Sequence, residues 1–128
     1  MTQSPDGSLD QIDLFSTVPD DVRHKLAAKC RWRKCAVNEK LLTRDDKNCD
    51  VYFVVSGSVR VVNHSLTGRE IAYATIRPGG FFGELSALDG QQRSANVVVI
   101  EESVVGIMGP DDFKSLVEST PDIAIKVI

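Results

Sequence analysis

The stretch Phe81-Phe82-Gly83-Glu84-Leu85-Ser86-Ala87-Leu88-Asp89-Gly90-Gln91-Gln92-Arg93-Ser94-Ala95 decides how this chain is read. Gly83 opens the run, Glu84 follows directly, and Arg93 with Ser94 beside it comes nine residues after Glu84. A glycine lets backbone approach a ligand that a Cβ would keep away. The amides around Glu84 and Leu85 would open a short helix, where unpaired N–H groups and the helix dipole favour an anion. Arg93 brings a permanently charged planar fork matched to phosphate oxygens. Glu84, an acceptor-only carboxylate, suits a sugar hydroxyl rather than the phosphate beside it. Together these residues describe a pocket for a sugar phosphate. The plainer alternative is a solvated Glu84–Arg93 ion pair worth little, with Gly83 and Gly90 punctuating turns.

Outward from this run the chain reads as strands. Segments 31–37, 40–44, 50–55, 58–64, 69–77, 94–101 and 103–108 are rich in Val, Ile, Tyr and Phe and are separated by turn signals. Asp50-Val51-Tyr52-Phe53-Val54-Val55 is apolar on both faces, as a central strand should be. Ser56-Gly57-Ser58 after it reads as a tight hairpin turn into Val59-Arg60-Val61-Val62. Helices flank the strands. Val18-Pro19-Asp20-Asp21 starts one, with Val22, Leu26 and Ala27 on one face, and Pro110 starts another that turns Phe113, Leu116 and Val117 inward. A third, opened by Ser119-Thr120-Pro121-Asp122, runs to the last residue; its six apolar-rich residues, 123–128, are too few for a stable free helix. The expected class is mainly β with flanking helices, an antiparallel jelly-roll-like barrel.

The run 81–95 resembles the phosphate-binding cassette of the cyclic nucleotide-binding domain. That family includes bacterial catabolite-activator-type regulators, regulatory subunits of cAMP-dependent protein kinase and cyclic nucleotide-gated channels. Val51-Tyr52-Phe53-Val54-Val55-Ser56-Gly57-Ser58-Val59 and Arg77-Pro78-Gly79-Gly80-Phe81-Phe82-Gly83-Glu84 are similar to the family's flanking segments, and the similarity runs from about residue 12 to residue 119. The resemblance implies the double-stranded β-helix fold and a cAMP or cGMP ligand with no cofactor. Arg93 would hold the cyclic phosphate and Glu84 the ribose 2′-hydroxyl. The backbone at Gly83, Glu84, Leu85 and Ala95, with the Ser94 hydroxyl, would complete the cradle. The family associates a threonine after the arginine with cGMP, so Ser94 mildly favours cAMP. Two departures stand out: Gly80 sits where Asp is frequent, and Thr43-Arg44-Asp45-Asp46 lacks a common glycine, so both loops could be looser.

The resemblance also implies a regulatory sensor relaying ligand binding to an effector beyond residue 128, first of all in transcription regulation, and a homodimer through the C-terminal helix. The domain is expected to span 12–128 behind a flexible segment 1–11, with its last helix cut short. The alternatives are a dimerisation or interaction module with a degenerate pocket, or a pocket for another anion. A net charge of −3 argues against this segment gripping nucleic acid alone. Arg31-Trp32-Arg33-Lys34 reads either as a nucleic-acid patch or as a strand with Trp32 inward. No apolar run reaches membrane-spanning length and the N-terminus lacks a signal-peptide pattern, so the expectation is a cytoplasmic protein with no membrane partner. Cys30, Cys35 and Cys49 are too irregular for a disulfide or zinc framework. His24 and His64 stand apart from other ligand candidates, against a metal-dependent enzyme on a similar roll, and no catalytic set is expected.

Overall fold

The computed structural model describes residues 8–44, 46–64, 67–90, 93 and 95–127. A 3-10 turn, Asp13–Phe15, leads to α1 (Asp20–Ala28). The strands β1 (Arg31–Cys35), β2 (Lys40–Leu42), β3 (Val51–His64), β4 (Glu70–Ile76) and β5 (Phe81–Phe82) follow. After α2 (Glu84–Asp89) come β6 (Asn96–Met108), α3 (Pro110–Ser119) and α4 (Pro121–Val127).

Two long strands organise the sheet. β3 has 14 residues and β6 has 13, and they pair antiparallel along their length. The register shifts three times between Val54 and Val59. At the centre of those shifts Gly57 has φ +81°, and a Cβ there would lie 2.1 Å from Ser103 Oγ and 2.4 Å from the Glu102 carbonyl. The hairpin expected at Ser56-Gly57-Ser58 is therefore a bulge inside one strand. Turn chemistry at a positive-φ glycine serves a bulge as well as a hairpin, and nothing local separates the two. Likewise the strands expected at 94–101 and 103–108 are one strand, β6.

The bulge lets the halves of β3 serve different neighbours. Tyr52 and Phe53 pair with Phe82 and Phe81 of β5, while Val59–His64 pair with β4. On β6, the N-terminal half carries β2 and the C-terminal half carries β1. All these ladders are antiparallel, giving the mainly β architecture with flanking helices that the strand pattern implies.

Alternation along β3 explains its two-sided apolarity. Val51 and Phe53 enter a core shared with the helices, beside Phe15, Leu26, Met108, Phe113 and Ile123. Tyr52 and Val54 enter a second core inside the roll, with Val59, Phe82, Val97, Val99 and Val105. Successive side chains on opposite faces are what a strand covered on both sides requires. The Phe15 and Phe53 rings meet at 5.1 Å. Truncating a fully buried phenylalanine such as Phe53 should cost about 3–5 kcal/mol.

The helical side differs from expectation in detail. Pro19 caps α1 and Asp20 and Asp21 fill its first turn, but the buried residues are Leu26 and Ala27, and Val22 is exposed. Arg23 takes the inner side instead, donating to the Val18 carbonyl and to the carboxylates of Asp10 and Asp20, which turns Val22 outward. Leu9 and Ile12 are buried, so part of the core comes from the stretch around the expected lead-in; residues 1–7 of that lead-in lie outside the described residues. The short α4 forms because the fold supports it. Ile123 is fully buried, and Lys126 Nζ donates to Ser16 Oγ at 2.8 Å and to the Asp13 carbonyl at 3.4 Å. Trp32 is half-buried opposite Gly106, with Nε1 donating to the Ala27 carbonyl at 3.2 Å. Its neighbours Arg31 and Arg33 point outward and pair with Asp50 and Glu39, so Arg31-Trp32-Arg33-Lys34 is a strand with its tryptophan turned in. Among the described residues no helix is long and apolar enough to cross a membrane.

Two outcomes follow from this packing. Gly57→Ala should destabilise the fold by at least about 2 kcal/mol, read by urea unfolding, because neither the torsion nor the space accommodates a methyl group. Burial pushes the Cys30 thiol up to about 12, and the Cys35 thiol is raised for the same reason. Below the ordinary thiol value of 9.0, folded and unfolded chains both keep the Cys30 proton. Above it only the unfolded chain releases that proton, so stability should fall as pH rises from about 9 toward 12. Native protein treated with iodoacetamide near neutral pH should be alkylated at the half-exposed Cys49 and spared at Cys30 and Cys35. Mass spectrometry showing rapid modification of Cys30 would contradict this packing.

Candidate functional site

The site begins where β5 runs out. Phe82 is held in register opposite Tyr52, and their rings stack at 4.9 Å with 4° between planes. The chain must then turn into α2, and Gly83 makes the turn at φ +90°. A Cβ on Gly83 would stand 2.7 Å from the Asp50 carbonyl and 3.0 Å from Arg93 Nη1. Glycine is thus required twice, by the torsion and by the close approach. The helix closes at Gly90, φ +73°, whose N–H donates to the Ser86 carbonyl at 2.9 Å. From there the chain returns to Arg93.

Arg93 is only 5% exposed. Its Nη1 donates to the Gly83 carbonyl at 2.8 Å, and its Nη2 to the Asp50 carbonyl at 2.6 Å and to Asn48 Oδ1 at 3.0 Å. The Nε–H finds no acceptor among the described residues. No carboxylate among the described residues forms an ion pair with this guanidinium, so the solvated Glu84–Arg93 pair is not the arrangement found. A buried cation held only by neutral oxygens keeps its full charge and carries a desolvation cost that an incoming anion would offset.

Beside Arg93 lies a cavity of about 440 Å³, a volume suited to a small ligand. Gly83, Glu84, Leu85, Arg93 and Ala95 all line it, so five of the six expected site residues share one cavity. Ser94, the sixth, lies outside the described residues. Ser86 and Asp89 of α2 add to the polar lining, and Leu42, Val61, Ile76, Phe81, Phe82 and Val97 supply apolar lining. The polar lining therefore suits an anion with neighbouring hydroxyls, and the apolar lining suits a flat apolar group.

Sequence reasoning missed Asn48 and the Asp50 carbonyl. Asn48 stands 45 residues from Arg93, so no local spacing joins them. The only signal was an asparagine two residues before a strand, which is common turn chemistry: Asn48 Oδ1 also accepts from the Asp50 N–H at 2.9 Å. Tyr52, behind this turn, is raised by burial, with the Asn48 side chain acting against that shift. The loop at Gly79-Gly80 is tied rather than loose. Gly79 N donates to the Val54 carbonyl and Val54 N to the Gly80 carbonyl, each at 2.9 Å, and a side chain on Gly80 would collide with Ile76 Cγ2 at 2.6 Å. His24 is exposed on α1, and the His64 side chain lies outside the described residues. No group of three metal-ligating side chains occurs among the described residues.

Comparison with known proteins agrees with this geometry. The family model of the cyclic nucleotide-binding domain matches residues 32–120. The chain is 36% identical over 74 residues to the cyclic AMP receptor protein of Thermus thermophilus, covering 58% of this chain and 34% of that protein. It is 33% identical over 104 residues to the Pycsar effector protein PaPycTIR of Pseudomonas aeruginosa, covering 80% and 32%. The chain thus spans about a third of the length of these two relatives. Among solved structures it is similar to the Thermus thermophilus catabolite activator protein, with a TM-score of 0.80 at 27% identity, covering 90% of this chain and 54% of that one.

Gly83→Ala should lower stability by about 1–3 kcal/mol in urea unfolding and shift the amide resonances of Asp50 and its neighbours, because the methyl group must displace the Asp50 carbonyl. An unchanged midpoint would mean that the turn does not need its positive φ.

Proposed function

The chain belongs to the cyclic nucleotide-binding domain family, and from that premise we propose that its cavity binds a cyclic nucleotide, cAMP in preference to cGMP, as the sensor unit of a longer regulatory protein. One observation carries the reading: Arg93 is buried, charged and held by neutral oxygens among the described residues, beside a cavity lined by both polar and apolar side chains.

In this reading Arg93 takes the cyclic phosphate. Its Nε–H and the second Nη1–H are not used by the three hydrogen bonds that hold it. Glu84 takes the ribose 2′-hydroxyl, whose proton a carboxylate accepts well, whereas that carboxylate would repel a phosphate oxygen. Backbone at Gly83, Leu85 and Ala95, with the Ser94 hydroxyl, completes the cradle. The purine lies against Leu42, Val61, Ile76 and Val97. The preference for cAMP rests on the serine at position 94 alone. The role of every one of these residues is binding rather than bond breaking. The effector proposed is a transcription regulator, and α4, with Ile125 71% exposed, is the surface proposed for pairing two copies.

The affinity can be bounded. A cyclic nucleotide of about 22 heavy atoms at roughly −0.3 kcal/mol per atom gives about −7 kcal/mol, a Kd of about 10 µM. Charge-assisted hydrogen bonds from Arg93 would supply about 1.5–3 kcal/mol of that. Calorimetric titration should therefore show micromolar cAMP binding, weaker cGMP binding, and a loss of about tenfold to a hundredfold in Arg93→Ala. Arg93→Lys, which keeps the charge without the fork, should fall between the two. Equal affinity in wild type and Arg93→Ala, with both folded by circular dichroism, would remove Arg93 from the site.

A further inference from the structure

We propose that Asn48 is the positioning residue of this site: a neutral oxygen placed where a carboxylate would cancel the charge on Arg93. The inference rests on the reading of the cavity as a cyclic nucleotide site and says what keeps that site receptive to an anion.

Asn48 Oδ1 accepts two hydrogen bonds, from Arg93 Nη2 at 3.0 Å and from the Asp50 N–H at 2.9 Å. The second bond closes a tight turn that fixes where the oxygen points. With the carbonyls of Asp50 and Gly83, the amide oxygen clamps the guanidinium from two separate segments of chain. An aspartate at position 48 could accept both bonds with nearly the same shape. These two bonds therefore do not call for asparagine; an aspartate differs in its charge and in lacking the amide N–H2 that acts on Tyr52.

The surrounding charges follow the same rule. Asp50 offers Arg93 its backbone carbonyl, while its carboxylate accepts from Arg31 Nη2 at 2.7 Å. Asp46 on the same loop and Glu84 and Asp89 on α2 form no ion pair with Arg93. The neighbourhood is acidic, yet among the described residues every oxygen that touches the guanidinium is neutral. A carboxylate there would stabilise the unliganded protein and compete with a bound phosphate. The protein thus forgoes a stabilising ion pair and keeps the cation available, a stability–function trade-off of a familiar kind.

The test is titration of the full chain with cAMP and cGMP for wild type, Asn48→Asp and Asn48→Ala, with melting temperatures recorded without ligand. Asn48→Asp should melt no lower than wild type and bind at least about tenfold more weakly near pH 7. Its deficit should exceed that of Asn48→Ala and persist as pH falls to about 4, because the guanidinium beside it favours the charged carboxylate and holds it below the ordinary carboxylate range. Asp46, Asp50, Tyr52, Glu84, Asp89 and Arg93 are common to all three proteins, so the comparison isolates position 48. Asn48→Ala removes both bonds without adding charge and should bind about threefold to tenfold more weakly, with the pH profile of wild type. Should Asn48→Asp fail to fold, an Asn48→Ala affinity equal to wild type would overturn the proposal. A folded Asn48→Asp that binds within twofold of wild type would also overturn it, since a merely structural role predicts that result. If wild type binds neither nucleotide, the reading of the cavity fails and this inference falls with it.

Discussion

A buried arginine with no carboxylate partner among the described residues is the constraint around which this site is built. Arg93 reaches back from the end of the α2 connection and is caught by Gly83 before that helix and by Asn48 and Asp50 before β3. These are segments far apart in sequence, so one guanidinium fixes the loop, the turn and the strand entry relative to one another. Gly83 exists for this contact: its missing side chain leaves room for the Asp50 carbonyl and the Arg93 head in the same small volume. The arrangement is costly in isolation, since a cation has left water for dipoles alone. It becomes favourable when an anion joins it.

The rest of the fold holds that arrangement still. The two faces of β3 divide the interior, Val51 and Phe53 toward the helices and Tyr52 and Val54 toward the roll. Because Tyr52 stacks on Phe82, the residue before Gly83, the inner core and the ligand cavity share a wall. On the other face, α2 packs on α3, and α4 closes against the 3-10 turn through Ile123 and Lys126. The helices that follow the sheet thus rest on the helix that lines the cavity. This is the route by which occupancy of the cavity can be felt outside it, to the extent that a ligand binds one packing of these helices better than another.

Much of this was legible in the sequence, for a local reason. The cassette at 81–95 is contiguous, so its residue types and spacing could be read directly, and five of its six expected site residues line one cavity. The two-sided apolarity of 51–54 announced a doubly covered strand. What was not legible depends on long-range contacts. Ser56-Gly57-Ser58 has the chemistry of a turn, and only pairing with a continuous β6 makes it a bulge. Val22 fits the apolar face of α1, but ion pairs from Asp10 and Asp20 draw Arg23 inward and rotate it out. Asn48 gave no hint of its partner because the contact spans 45 residues and a turn explains the asparagine on its own.

The most direct test of the account is the side-chain Nε–H resonance of Arg93, followed by heteronuclear NMR as cAMP is added. The account predicts a slowly exchanging proton in the free protein that moves strongly downfield on saturation, as a phosphate oxygen becomes its acceptor. A resonance that stays in place while calorimetry shows the nucleotide bound would contradict it, because the ligand would then be held elsewhere.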